Sequence, residues 1–403
     1  MASERYDYLL IGEHAEDRRV RLFQQALKDQ GREPAWFVSH REALQGRLED
    51  LPDRPFVVRL EALGGDPATR RELLRLGRED AQEAGATVIS DSALGDDLPR
   101  PTELLCPRQQ HFGFLRYLRR LEETYRERPN WRPTASPSTL AELFDKRRTS
   151  TRYARLGLPV PEALNLPIDL PMDAPVSAGP DLLRDAMLDA GWPSVFVKLS
   201  CGSSASGLAV YFFRQADAEH GSRGFLLTTI HRGLADRDTT RGRHNSLKLQ
   251  RLDDPADIDE VLAFLLREGS LVERAVPKAR LDGAFMDCRV LTVAGEPTFW
   301  VVRQNRHPIT NLHLGGWRGN VAELRRRVQG DAWQAALDSC RRVAAAHDTF
   351  QLGIDLMFEP GFRGHRILES NAFGDLLPGL EKDGLDVYGW QIEHVGPWLA
   401  RRA

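Results

Sequence analysis

The stretch Gln351–Asp375 reads QLGIDLMFEPGFRGHRILESNAFGD. Two short β-prone runs, Gln351–Phe358 and His365–Phe373, flank the turn formers of 359–364, EPGFRG. This pattern predicts a strand–turn–strand unit. Side chains alternate faces along a strand, so Glu369 and Asn371 share a face, and Asp355 on the partner strand can meet them across the pair. Leu352, Ile354, Leu356 and Leu368 supply packing. Two carboxylates and a carboxamide make an oxygen-only ligand set. Such a set suits Mg²⁺, which takes ~6 oxygens at about 2.1 Å and often draws the remainder from phosphate. The plainer alternative is a hairpin whose polar face meets water, so the rest of the chain has to decide.

The chain has 403 residues, 41% hydrophobic and 28% charged, with a formal net charge of −3. That length predicts two or three domains, and the composition is that of a soluble globular protein. No global basic field is present to recruit nucleic acid or an anionic membrane. Cys106, Cys201, Cys288 and Cys340 are scattered without a CxxC pair, which argues against a disulfide framework or a cysteine zinc site and fits a reducing cytoplasm. The apolar run near the N-terminus is too short for a signal sequence, and no run approaches the ~18 apolar residues of a membrane span. A soluble, cytoplasmic protein is the expectation.

Working outward from the hairpin, the first 137 residues read as a small α/β layer with a mostly parallel sheet. Strands are expected at Tyr6–Gly12, Pro34–Ser39, Phe56–Leu60 and Ala86–Ser90. Helices are expected through Val20, Phe23 and Leu27, and over Ala68–Ala84. No GxGxxG or GxxxxGK[ST] follows the first strand, so a dinucleotide or P-loop site has no support. The arginines of Pro107–Arg132 interleave with Phe112, Leu115, Leu118 and Leu121 at helical spacing, which predicts a helix with a solvated arginine face. Pro129–Pro137 reads as a linker, and Ser138–Leu156 as a helix holding Asp145 and Lys146.

The middle of the chain, 138–275, brings WPSVFVKLSCGSSASGLAVYFF at 192–213. Lys198 leaves its strand into a loop of small residues, Cys201–Gly207, whose backbone N–H groups can approach phosphate oxygens. Ser270–Val276 is a strand carrying Glu273. In the last third, 276–403, Met286–Gln304 reads as a hairpin with Asp287 and Arg289 on one face and Arg303 near its end. The polar loop His307–Gly319 holds Asn311, and such loops often carry function. A helix over Asp331–His347, with Trp333, Leu337, Cys340 and Ala344 inward, leads back to the opening hairpin. No GxSxG elbow and no HExxH spacing occurs, so neither a serine triad nor a zinc protease is indicated.

Taken in order, these features resemble the ATP-grasp superfamily, in particular its glutathione synthetase-like and ribosomal-protein glutamate ligase-like branch. The resemblance rests on Lys146 (FDKRRTSTRYARLGLPVP), Lys198 with its loop (VFVKLSCGSSASG) and Glu273 (LVERAVP). It continues through Asp287 and Arg289 (MDCRVLTVAGEP), Arg303, the TNLHLGG loop at 310–316, Asp355 and Glu369-Ser-Asn371. It covers about Leu140 to the C-terminus and implies an α/β (α+β) ATP-grasp fold behind a Rossmann-like pre-grasp domain. It further implies that Lys146, Lys198, Gly202, Ser203, Ser204, Gly207 and Glu273 hold ATP. Asp355, Glu369 and Asn371 would hold one or two Mg²⁺, with Mn²⁺ as an alternative. Arg289, Arg303 and Asn311 would face the reacting carboxylate.

The activity implied is a carboxylate–amine (or thiol) ligase acting through an acyl phosphate and releasing ADP. Its partners would be ATP, a small-molecule or peptide carboxylate and an amine acceptor, with homo-oligomerisation left open. A kinase on the same scaffold and a non-catalytic nucleotide-binding regulator are the rivals. The serine-rich phosphate loop departs from the glycine-richer loops of relatives. Segment 214–250 and the acceptor-binding residues match nothing in the pattern.

Overall fold

The computed structural model describes residues 6–95, 98–166, 175–202, 206–215, 223–232, 242–374 and 377–402. Four strands, β1 (Asp7–Gly12), β2 (Trp36–Ser39), β3 (Phe56–Leu60) and β4 (Trp131–Pro133), form a parallel N-terminal sheet in the order β2-β1-β3-β4. The fourth strand comes from the stretch expected to be a linker, whereas Ala86–Ser90 forms no strand. The reason is a competing partner. The Gln109 side chain accepts from Ile89 N at 2.7 Å and donates to Ile89 O at 3.2 Å, occupying the groups a sheet neighbour would need.

Two expected helices are each broken. Ala68–Ala84 becomes Pro67–Leu76 and Arg78–Glu83, divided at Gly77, where a Cβ would lie 2.1 Å from Gln109 O on the helix Pro107–Glu127. The crossing is therefore a backbone-to-backbone approach that only glycine permits. Ser138–Leu156 becomes Pro137–Leu143 and Lys146–Arg155. Asp145 caps the second, accepting from Arg147 N (3.1 Å) and Arg148 N (3.3 Å), a contribution of ~1 kcal/mol. In the arginine-faced helix the inward residues are Gly113, Phe114, Tyr117, Leu118 and Leu121, while Phe112 and Leu115 are half-buried.

The middle sheet is antiparallel, ordered β5 (Ala163–Leu164), β10 (Ser270–Arg274), β6 (Ser194–Leu199), β7 (Leu208–Arg214), β8 (Arg223–Arg232) and β9 (Arg243–Leu252). The last two strands account for the described part of segment 214–250. Val195, Val197 and Leu199 alternate inward onto the helices Ala178–Asp189 and Pro255–Arg267. Phe196 and Lys198 therefore face the other way.

The third sheet contains β11 (Arg280–Leu281), β12 (Ala284–Val293), β13 (Glu296–Asn305), β14 (Trp317–Gly319), β15 (Gln351–Phe358) and β16 (His365–Asn371). Its main path runs β14-β13-β12-β15-β16. One face, with Cys288, Val290, Leu352, Ile354 and Leu356, packs on Ala336, Cys340 and Val343 of the helix Gly330–Ala345. Ala336 and Val343 are buried there beside Cys340 and Ala344, while Trp333 and Leu337 stay half-buried. The opposite face is split. Leu291, Val293, Phe299 and Val301 join Tyr8, Leu10 and Val57 of the N-terminal layer, while Asp287, Arg289 and Arg303 continue the same faces into an open cleft. The middle sheet has its own core and meets the loop after β13 through Leu208, Val210, Ile309 and Leu314.

Candidate functional site

The cleft between the middle and third sheets is a cavity of about 860 Å³. Its apolar walls include Phe196 and Leu208 from one sheet, Met357 and Leu368 from the other, and Ile309 from the connecting loop. Its polar end is built by strand register. Asp355 lies opposite Glu369 across β15 and β16 and opposite Arg289 across β12. Asp287 lies opposite Arg303.

These registers make a continuous ion network. Arg289 donates to both oxygens of Asp355, Nη2 to Oδ2 at 3.3 Å. Arg303 Nη2 reaches Asp355 Oδ2 at 3.1 Å, and its Nε donates to Asp287 Oδ1 at 2.7 Å. Lys278 Nζ donates to Asp287 Oδ2 at 2.9 Å and to Thr310 Oγ1 at 3.0 Å, and the Thr310 hydroxyl donates to Asp287 as well. Asp287, Arg289, Arg303 and Asp355 are all buried. Arg289 thus pairs with Asp355 rather than with Asp287 on its own strand, and neither arginine is a solvated surface charge.

The lysines enter from the other side. Lys198 Nζ lies 2.5 Å from Glu273 on the neighbouring strand. Lys146 donates to the Gly202 carbonyl and stands 3.9 Å from Glu369, while Asn371 Nδ2 lies 3.5 Å from Glu369 Oε1. Burial opposes ionisation of Glu369, yet Lys146, Lys198, Arg289 and Arg303 outweigh it and hold the carboxyl at about 2. Burial pushes Asp355 upward against the same arginines, and it raises Glu273 against Lys198. Burial also works against Asp287, but Arg303 and Lys278 prevail and lower it.

Asp355, Glu369 and Asn371 come together on one face of the hairpin and offer only oxygen to a hard cation. Among the described residues no group of three or more histidine, cysteine or acidic side chains forms a metal cage. The oxygens of the trio are of the kind a hard cation such as Mg²⁺ takes, and those of Asp355 are engaged by Arg289 and Arg303.

Gly202 and Gly207 bound the loop, and Gly207 has φ +66° with its would-be Cβ 2.2 Å from Leu199 Cδ1. Ser203 and Ser204 lie outside the described residues. Asn311 caps the turn Leu312–Leu314 by accepting from His313 N at 2.9 Å and lines the cleft. Sequence reasoning missed Lys278 and Thr310. The available signal was Asp287 itself, a strand carboxylate that burial obliges to find cationic partners.

A second cavity, about 1580 Å³, shares Lys146, Gly202, Arg303, Asn311 and Glu369 with the first. It reaches the start of the helix Arg18–Asp29 and the loop after β16. Arg289 and Asn371 line this second cavity, so Glu369 sits where the two meet.

No family model and no curated protein matches the sequence. Among solved structures, D-cycloserine synthetase DcsG is similar at 13% identity over 98% of this chain and 99% of that one, with a TM-score of 0.51. The ATP-grasp ligase PsnB complexed with minimal precursor matches at 13% identity over 98% and 99%, TM-score 0.49. Macrocyclase MdnC bound with precursor peptide MdnA, from Microcystis aeruginosa MRC, matches at 10% over 96% and 98%, TM-score 0.49. At these identities the likeness is one of fold. The chain shares the fold of D-cycloserine synthetase DcsG.

Proposed function

We propose that the chain is an ATP-dependent ligase that joins a carboxylate to an amine, or to a thiol, through an acyl phosphate. The observation carrying this reading is the junction at Glu369, where Lys146 (3.9 Å), at the start of the helix Lys146–Arg155, faces the register pair Asp355–Glu369 of the third sheet. Units of 1–137, 138–275 and 276–403 are the corresponding lobes, with the cleft between the last two. The shared fold with a protein named as a synthetase supports the reading.

Lys146, Lys198 and the backbone of the 200–207 loop neutralise phosphate, while Phe196, Leu208, Ile309 and Met357 cover the base and exclude water. Glu273 orients Lys198 and lies where the ribose enters. Asp355, Glu369 and Asn371 hold Mg²⁺, which when bound supplies charge stabilisation to the transferring phosphoryl group. Arg289 and Arg303 orient the substrate carboxylate, and Asp287 with Lys278 fixes the guanidinium of Arg303. Once the carboxylate oxygen has displaced ADP, the acyl carbon carries a good leaving group. The amine attacks it and phosphate departs with the C–O bond electrons, which divides one hard step into two easier ones.

Hydroxylamine trapping tests this. A hydroxamate formed together with ADP supports the ligase. A phosphorylated alcohol would indicate a kinase, and nucleotide binding with no ADP release from any carboxylate would indicate a regulator.

A further inference from the structure

The second cavity carries more positive charge than the chemistry above uses. Among the described residues its charged lining comprises Arg18, Arg19, Lys146, Arg289, Arg303, Arg318 and Glu369, with Asp355 and Asp287 already paired to Arg289 and Arg303. Lys146, Arg289 and Arg303 belong to the junction already described. Arg18, Arg19 and Arg318 line the second cavity and not the first. Arg19 donates to Phe373 O at 2.9 Å and stands 4.0 Å from Glu61. Arg318 donates to Pro378 O at 2.8 Å. A carbonyl fixes the direction of a guanidinium without neutralising it. Among the described residues, Asp375 lying outside them, neither Arg18 nor Arg318 has a carboxylate within ion-pair distance. Like charges gathered in a concave site repel one another until an anion enters, and the same field draws that anion in.

We propose that the carboxylate substrate bears a second anionic group, bound by Arg18 and Arg318 while the reacting carboxylate lies at Arg289 and Arg303. The substrate class is a dicarboxylate. Leu63, Phe144, Val301, Phe373 and Leu377 also line the cavity and would cover the hydrocarbon between its two charges. A planar guanidinium fork matches a carboxylate in two contacts, which makes Arg18 and Arg318 specificity-determining residues. The assignment of the reacting end rests on the ligase reading; the anion site does not.

Calorimetric titration of the full chain, with Mg²⁺ and a non-hydrolysable ATP analogue, tests the site directly. One pair of probes is glutarate and its monoamide, alike in shape and different by one charge. The other is a peptide with two adjacent glutamates and its Glu-Gln counterpart. The doubly charged member of at least one pair should bind 10-fold or more tighter, and the pair that shows it tells whether the substrate is free or peptide-borne. Arg18→Gln and Arg318→Gln should each shrink that preference several-fold, and the double variant should abolish it, while binding of the singly charged probe changes less than 2-fold. No preference in either pair, or a preference that survives the double variant, overturns the proposal. ADP release, measured separately with ATP in place of the analogue, separates the two readings. Selective dicarboxylate binding without ADP release refutes the ligase and leaves the anion site standing.

Discussion

Asp287→Asn is the most searching single change to the ion network. The wild-type carboxylate is 3% exposed and takes Arg303 Nε at 2.7 Å, Lys278 Nζ at 2.9 Å and the Thr310 hydroxyl. A carboxamide keeps the shape, removes the negative charge and presents an NH₂ where one oxygen had been accepting. Arg303 retains Asp355 at 3.1 Å, whereas Lys278 is left with the Thr310 hydroxyl alone. Removing one partner of a buried pair costs about 3–5 kcal/mol, and the remaining Asp355 contact sets the expectation at the lower end, about 3 kcal/mol. Urea unfolding reads this as a lower midpoint at unchanged slope. Adding Lys278→Met to Asp287→Asn removes the stranded cation, so the double variant should be more stable than the single one. The cycle should give a coupling of about 2 kcal/mol or more. A single-variant cost under about 1 kcal/mol, or two additive substitutions, would refute the reasoning.

Four further outcomes are expected. Glu369→Gln should lower Mg²⁺-ATP turnover by orders of magnitude in a folded protein, since a metal's charge stabilisation is worth several kcal/mol. Because the Glu369 carboxyl is depressed from 4.5 to about 2, its stabilisation is present above pH 4.5 and lost as the pH falls toward 2. The stability gap between wild type and Glu369→Gln should close across that window. Arg289→Lys should keep the charge but lose the fork that spans Asp355 and the substrate, cutting kcat/KM by roughly 100-fold, about 2.7 kcal/mol; unchanged turnover would leave Arg289 with no part in the reaction. Finally, burial lowers His40 and His347 from 6.5 to about 4. Both stay neutral when folded, so stability should fall as the pH drops from 6.5 to 4, and acid titration followed by circular dichroism should begin to lose signal in that range.

What the sequence made legible was local in origin. The hairpins β6–β7, β12–β13 and β15–β16 combine alternating residues with turn formers between them, so both faces can be read from neighbours in the chain. Lys198, Asp287, Arg289, Arg303, Asp355 and Glu369 fall on those strands. What was hidden depends on partners distant in sequence. Ala86–Ser90 carries a strand-like apolar pattern, and nothing local shows that Gln109, 20 residues on, takes both backbone groups of Ile89. Trp131–Pro133 is too short and too rich in proline neighbours to alternate visibly. Lys278 and Thr310 lie 9 and 23 residues from Asp287; the loop of Thr310 reads as functional, but its contact with Asp287 shows only once β12 and the loop after β13 are folded together. Arg18 and Arg318, 300 residues apart, line one cavity only in the folded chain.

One signal of the cleft was nevertheless present in a single strand. Along β12 the face that carries Asp287 and Arg289 continues as Leu291 and Val293, and along β13 Arg303 follows Val301 and Phe299. A strand face buried from end to end should keep one chemical character, because every position then meets the same kind of neighbour. A switch from apolar to paired charge within two residues means that the covering layer ends there. In this fold it does: the N-terminal layer packs on the apolar half of both faces, and the charged half is left to the cleft. The place where the alternation changes character therefore marks both a lobe edge and the start of the site. Arg289→Leu, which extends the apolar half by one position and strips Asp355 of one of its two arginines, should weaken substrate binding and also cost about 3 kcal/mol of folding stability. It should leave Asp355 with Arg303 as its remaining arginine, a change readable as a rise in KM for the carboxylate. A variant that unfolds while the KM of its folded fraction is unchanged would place the lobe edge elsewhere.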